Sequence, residues 1–270
     1  MRIIFNSIYV LLVAFGTVCI ADDMVNAENC MTHNNSNISV INLPDGSVYE
    51  GSVDGKGLLS GSGSLKWKTG AFYKGCFENG VINGKGKFIK SDGAVHAGIF
   101  KDGIIAEGVR TEADGMRSSG AFKNGLLIGI GNIEYPDGAS YEGEVVNGYE
   151  NGKGKFISSD GDIYEGDFKN GLLHGDAIIK FSIGGYYKGP LIDGVKSGKG
   201  IQVFANDDRY EGEFENDYIE GHGLLIRHNG DRYEGELRQG EIHGKGIYVK
   251  ANGEVLRGYF KFGDYLGATR

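Results

Sequence analysis

A Tyr-Glu-Gly triplet and its variants return along this chain at a nearly constant interval. Aligned on the glycine, they fall at Gly51, Gly75, Gly98, Gly120, Gly143, Gly166, Gly189, Gly212, Gly235 and Gly258, in steps of 22 to 24 residues. A period of this size means one supersecondary unit stacked on copies of itself, so each residue is first a position within a unit. The spacing predicts ten units over residues 45–270, the last of them truncated. The 48 glycines follow this repeat, with no Gly-X-Y period to suggest collagen.

Inside a unit the residues alternate. In "YEGDF" Tyr164, Gly166 and Phe168 share one face of a strand, and Glu165 and Asp167 share the other. "KNG" at 169–171 signals a turn, and runs such as "GKGKF" at 152–156 read as a second strand, closed by "SSDG" at 158–161. Each unit is therefore expected to be a β-hairpin. The fold class is all-β: an elongated, single-layer antiparallel meander of about ten hairpins. At the spacing of neighbouring strands it would be about 90 to 100 Å long. One layer cannot bury its aromatic face in a deep core, so the ribbon is expected to curl into a trough or to pair with another surface.

Two positions carry the apolar face. Two residues after the glycine stand Val53, Phe77, Phe100, Phe122, Val145, Phe168, Leu191, Phe214, Leu237 and Phe260. Two residues before it stand Tyr49, Tyr73, Tyr141, Tyr164, Tyr187, Tyr210 and Tyr233, with His96, Ser118 and Leu256 as departures. A ring beside a strand glycine can lie flat over bare backbone. Tyr49, Tyr73, Phe77, Tyr141, Tyr164, Phe168, Tyr187, Tyr210, Phe214 and Tyr233 are accordingly the candidate binding face. On the other face, Glu50, Glu142, Glu165, Glu211 and Glu234 form one row and Lys85, Lys153, Lys199 and Lys245 another, both read as solvated charge.

The chain begins "MRIIFNSIYVLLVAFGTVCIADD", one basic residue and an apolar run, with Cys19 and Ala21 placed for a cut before Asp22. Residues 1–21 read as a cleavable signal peptide and the chain as secreted or periplasmic; the alternative is a membrane anchor formed by residues 3–20. Residues 22–43, rich in Asn and Ser, read as a mobile linker in which Asn34 and Asn37 head N-x-S triplets. Cleavage would leave Cys30 and Cys76. Either they form a disulfide in an oxidising compartment, or they are two free thiols.

Enzyme-like features dissolve in the repeat. "GVKSGKG" at 194–200 and "GSVDGKG" at 51–57 lack the spacing, the Ser or Thr and the helix of a phosphate-binding loop. His174 and His243 hold one unit position three units apart, too distant to share a metal, and "DGDIYEG" lacks the ordered ligands of a calcium loop. No catalysis, cofactor or metal is expected. A net charge of −8 disfavours nucleic acid and weakens the case for anionic lipid.

"YEGDFKNGLLHG" with "GKGKF"-type strands resembles the MORN repeat, the membrane occupation and recognition nexus motif, and "YEGELRQGEIHGKGIYVKANG" at 233–253 is close to its full pattern. The resemblance covers roughly residues 45–267. It implies a non-catalytic scaffold or protein-binding array, sometimes placed at membranes and often dimeric. Unit three, "HAGIFKDGIIAEGVRTEADG", lacks both the Tyr and the "GKG" pair and is expected to be irregular; Pro190 is expected to mark a bulge or an edge. The expected function is binding of an unknown protein partner, or of a second copy as a homodimer, through the aromatic and glycine face. The alternative is a membrane-associated protein that contacts lipid.

Overall fold

The computed structural model describes Cys30 and residues 38–268. These residues form 22 strands and no helix, from β1 (Ser39–Asn42) to β22 (Asp264–Gly267). Consecutive strands pair antiparallel, except that Val195–Lys196 and Gly198–Val203 both pair with the strand before them, giving one open meander. This is about eleven hairpins where the glycine count predicts ten units, for two local reasons. Ser39–Asn42 adds a strand by pairing with β2 (Val48–Val53), Ile41 opposite Tyr49. Pro190, which has no N–H to donate, lies in β14 (Tyr186–Ile192), and the strand beside it breaks at Ser197 into Val195–Lys196 and Gly198–Val203.

The linker expected over residues 22–43 is thus corrected at its C-terminal end, where four residues are too few to show a period but suffice to cover an open strand edge. Cys30 is bonded to Cys76 on β4 (Phe72–Glu78), with Cα atoms 5.3 Å apart. The signal or anchor segment, most of the linker and both N-x-S asparagines lie outside the described residues.

Six of the hairpins among the described residues share one internal joint. In β10 (Ser140–Val146) and β11 (Tyr149–Ile157) the register shifts between Gly143 and Val145, a bulge that leaves Glu144 without a partner in β11 while it still faces Ile130 on the other side. Its carboxylate turns back and accepts the Lys153 amide at 3.1 Å. Glu213 and Glu236 accept the amides of His222 and Lys245 in the same way, both at 3.2 Å. Across the Glu236 bulge Gly244 has φ +59°, and an added Cβ would stand 2.5 Å from the Glu236 carboxyl carbon. The first glycine of "GKG" is therefore required both for its left-handed backbone and for the room it leaves the acid.

A second joint runs between units along one long edge. In most of the turns the glycine N–H donates to a carbonyl of the preceding hairpin, as in Gly80 to Leu59, Gly148 to Leu127, Gly194 to Leu173 and Gly263 to Ile242, at 2.7 to 2.9 Å. The tight turns are thereby stitched to one another as well as closing their own hairpins.

Candidate functional site

The predicted aromatic contact residues are found inside. Tyr49, Tyr73, Tyr187 and Tyr210 have no exposed surface, Tyr141 and Tyr233 have 1%, and Phe77, Phe168 and Phe214 are buried. A single sheet achieves this by stacking its own side chains in two tiers. The Tyr210 ring lies on the Gly212–Gly223 pair, which face each other across β17 (Arg209–Glu215) and β18 (Tyr218–Ile226). A Cβ on Gly223 would stand 2.5 Å from the Tyr210 hydroxyl and 2.6 Å from Cζ, and the phenol donates to the Glu213 carbonyl at 3.0 Å. Phe214 then stands edge-on over two rings at once, 5.3 Å from Tyr210 and 5.1 Å from Tyr187 of the unit before. Phe77 bridges Tyr49 and Tyr73 likewise. This face is the core, and the sequence-based expectation of a contact surface there is corrected.

Tyr164 is the exception among the predicted rings. The partner of Gly166 in β13 (Leu172–Lys180) is Ala177, whose Cβ occupies the space a second glycine would leave. Its ring is left half-buried, tilted against Phe156 at 5.8 Å. In unit three the strands continue, β6 (Val95–Lys101) with β7 (Ile104–Thr111), but the register shifts between Ile99 and Phe100, and the packing differs as well. Buried His96 takes the Tyr place, while Arg110 pairs with Glu112 and lies over the Phe122 ring at 5.4 Å. Burial, then Lys90 and Arg110, push the His96 pKa down to about 4.

The buried phenols make alkaline stability a test of the two tiers. Burial raises Tyr49, Tyr187, Tyr210 and Tyr233 from 10.0 to about 12. An acid whose folded pKa lies above its unfolded one gives stability that is complete below pH 10 and declines as the pH rises toward 12. Cooperative loss of β-sheet circular dichroism in that window, in step with phenolate absorbance, is expected. Phenolate absorbance that rises near pH 10 with the sheet intact would contradict the buried tier.

The opposite face holds the recess. A groove of about 1030 Å³ crosses the strands from β12 (Ile163–Lys169) to β20 (Glu241–Val249). Its floor is bare backbone at Gly189, Gly200, Gly212, Gly223 and Gly235, and one wall is a ladder of cross-strand neighbours: Glu165, Ile178, Lys188, Ile201, Glu211, Leu224, Glu234 and Ile247. Asp176, Pro190, Lys199 and His222 line the other side. Ile178, Ile201, Leu224 and Ile247 are half-buried, each twelve residues after its repeat glycine.

The same register position is polar in most earlier units: Ser64, Lys87, Asn132 and Lys155. The sequence carried this signal as a replacement of the second Lys of "GKGKF" by Ile or Leu in four successive units. It escapes notice when that face is read only as rows of charge. Lys153 pairs with Asp167 at 2.6 Å and Lys180 with Glu165 at 3.3 Å, so the charge rows do include ion pairs. His174 faces Asp193 at 3.1 Å, and His243 packs on the Phe262 ring. Among the described residues no group of three or more His, Cys, Asp or Glu could hold a metal ion.

A second exposed feature follows the turns. Leu58, Val81, Ile104, Leu126, Tyr149, Leu172 and Tyr218, each at or immediately before the start of a return strand, are 42 to 63% exposed along one edge.

A family model described as MORN repeat matches residues 73–95, 141–163, 164–186, 187–209, 210–232 and 233–255, just over half of the chain. Each matched segment begins on its tyrosine, and the units of His96 and Ser118 fall outside the matches. No curated protein matches the sequence. Among solved structures, similarity is found to the SAS-4 (dCPAP) TCP domain of Drosophila melanogaster in complex with a proline-rich motif of Ana2 (dSTIL). That domain is 13% identical, with 81% of this chain and 87% of that one covered, at a TM-score of 0.32. The G-box domain of the microcephaly protein CPAP is 8% identical, covering 83% and 100%, at 0.33. The TCP10 domain of Danio rerio CPAP with a STIL peptide is 12% identical, covering 82% and 97%, at 0.27.

Proposed function

Because the chain belongs to the MORN-repeat family, we propose that it is a non-catalytic repeat scaffold binding a protein partner through the groove on the face opposite its tyrosines. The observation that carries this reading is the run of Ile178, Ile201, Leu224 and Ile247 at one register position of an otherwise charged face. The tyrosines belong to the core, so partner contact is moved from them to this ladder. Apolar side chains half-open on a bare glycine floor, flanked by Glu and Lys, resemble the apolar centre and polar rim of a binding surface.

Ile201→Lys with Leu224→Lys in the full chain is expected to abolish recovery of proteins cross-linked to the groove while leaving the circular dichroism unchanged. Recovery of the same proteins by the folded double variant would sink the reading. Self-association through the groove would be lost in the same variant, as read by sedimentation.

The exposed turn edge supports a second reading, contact with lipid, since Lys101, Lys123 and Lys169 stand beside Ile104, Leu126 and Leu172 on that edge. In the same assay anionic vesicles are expected neither to compete for the groove nor to sediment the chain. Sedimentation abolished by Leu126→Lys with Leu172→Lys would favour lipid instead.

The Cys30–Cys76 bond supports an oxidising compartment, hence a secreted or periplasmic chain. The mature protein is expected to start at Asp22 and to resist alkylation at both cysteines until reduced. An intact Met1 in a membrane fraction would favour the anchor.

A further inference from the structure

The groove has a period, and a period selects among backbone conformations. Ile178, Ile201, Leu224 and Ile247 are each two strands apart in the ladder, because Lys188, Glu211 and Glu234 stand between them. At the strand spacing of 4.7 to 4.9 Å, successive apolar positions recur about every 9.6 Å, and the four span about 29 Å. A ligand crossing these strands must present apolar side chains on one side at that interval.

The regular conformations differ sharply on this point. An extended strand returns to one side about every 6.7 Å, which falls out of step at once. An α-helix returns after seven residues, about 10.5 Å, and drifts by nearly 3 Å over three steps. A polyproline-II helix has three residues per turn at about 3.1 Å each, so every third side chain recurs at about 9.3 Å. Across the four positions it drifts by only about 1 Å.

Charge sets the intervening residues. Lys188 lies between the first two apolar positions, Glu211 between the next two and Glu234 between the last two. Both acids are exposed, with Glu211 sharing its charge with Arg209 of its own strand at 2.7 Å, whereas Glu213 and Glu236 are engaged by their bulge amides. Glu211 and Glu234 call for basic side chains on the ligand and Lys188 for an acidic one, by complementarity across an interface. The glycine floor adds room for a backbone that makes no hydrogen bonds of its own.

We propose that the groove binds a polyproline-II segment of a partner protein, with an apolar residue at every third position and basic residues opposite Glu211 and Glu234. This rests on the groove being the partner-binding surface and specifies what occupies it.

The test is fluorescence anisotropy of the full chain with a labelled decapeptide. Leucine stands at its first, fourth, seventh and tenth positions, each of the first three followed by proline. Glutamate fills the first gap and arginine the other two. The reversed sequence is the second probe, and a peptide of equal composition with alternating leucines is the control. One of the two period-three peptides is expected to bind at least tenfold more tightly than the control. Ile201→Lys with Leu224→Lys should remove that difference, as should the milder pair Ile201→Ala with Leu224→Ala. Glu211→Lys with Glu234→Lys should weaken the arginine peptide at least fivefold and tighten a version with glutamate in place of both arginines.

Equal binding of period-three and control peptides, or none by either, would overturn the proposal. If the groove variants release the native partner while the peptides show no preference, the scaffold reading stands and the polyproline-II occupant falls. If the period-three peptide binds equally well to the folded groove variants, both fall.

Discussion

Valine in place of Gly246 is expected to destabilise the array by about 3 kcal/mol or more, a large effect for one substitution on a sheet. A Cβ at Gly246 would stand 2.5 Å from both Cε2 and Cζ of Tyr233, and the opposing Gly235 is as tightly covered. The ring has nowhere to go, since its hydroxyl is held by the carbonyls of Glu236 and His243 at 2.8 and 2.9 Å and Phe260 stands on it at 5.3 Å. Gly55 is the internal control. Its backbone is not left-handed and no atom lies within 4 Å of an added Cβ, so Gly55→Ala should stay within about 0.5 kcal/mol of the parent. Urea midpoints measure both. Similar midpoints for the two variants would mean that the ring does not lie where it is placed.

Removing a ring should do comparable harm by the opposite route. Tyr210→Ala takes the side chain from under Phe214 and uncovers Gly212 and Gly223, at an expected cost of about 3 to 5 kcal/mol. Phe214 also rests on Tyr187, so the loss should propagate to the coupling between units, and unfolding should broaden or split as nearest-neighbour arrays do when one interface weakens. Tyr164→Ala should cost about half as much or less, because that ring is already partly in solvent. Equal losses at Tyr164 and Tyr210, measured by calorimetry, would remove the distinction drawn from Ala177.

That comparison also shows what could be read from the chain alone. The alternation around Gly166, the hairpin turns and the antiparallel order follow from local periodicity, and the structure repeats them unit after unit. The depth of the tyrosines could not be read the same way. Burial in one layer depends on the glycine pairs facing across strands, as Gly212 faces Gly223, and on Phe214 reaching the ring of the preceding unit. Those are register facts, and alternation within one strand cannot supply them. Ala177 breaks the pairing with a single methyl group, yet "YEGDF" around Tyr164 looks like every other strand. The groove was legible in principle, since Ile178, Ile201, Leu224 and Ile247 share one phase. It becomes a ladder only when Lys188, Glu211 and Glu234 are placed beside them by pairing. The edge strand Ser39–Asn42 had no periodic signature, because its order comes from the edge it covers.

The bond between Cys30 and Cys76 has a mechanical consequence. Tension along the long axis of a meander runs parallel to its interstrand hydrogen bonds and opens them one at a time, beginning at the ends, which makes such an array easy to peel. Here a pull entering from before Cys30 crosses directly to β4 at Cys76, and Ser39–Asn42, Val48–Val53 and Leu59–Lys66 lie in the bypassed loop. The first three strands carry no load while the bridge is closed. Reduction would restore the chain through them as the force path, lengthening the tether and moving the point of first rupture to β1.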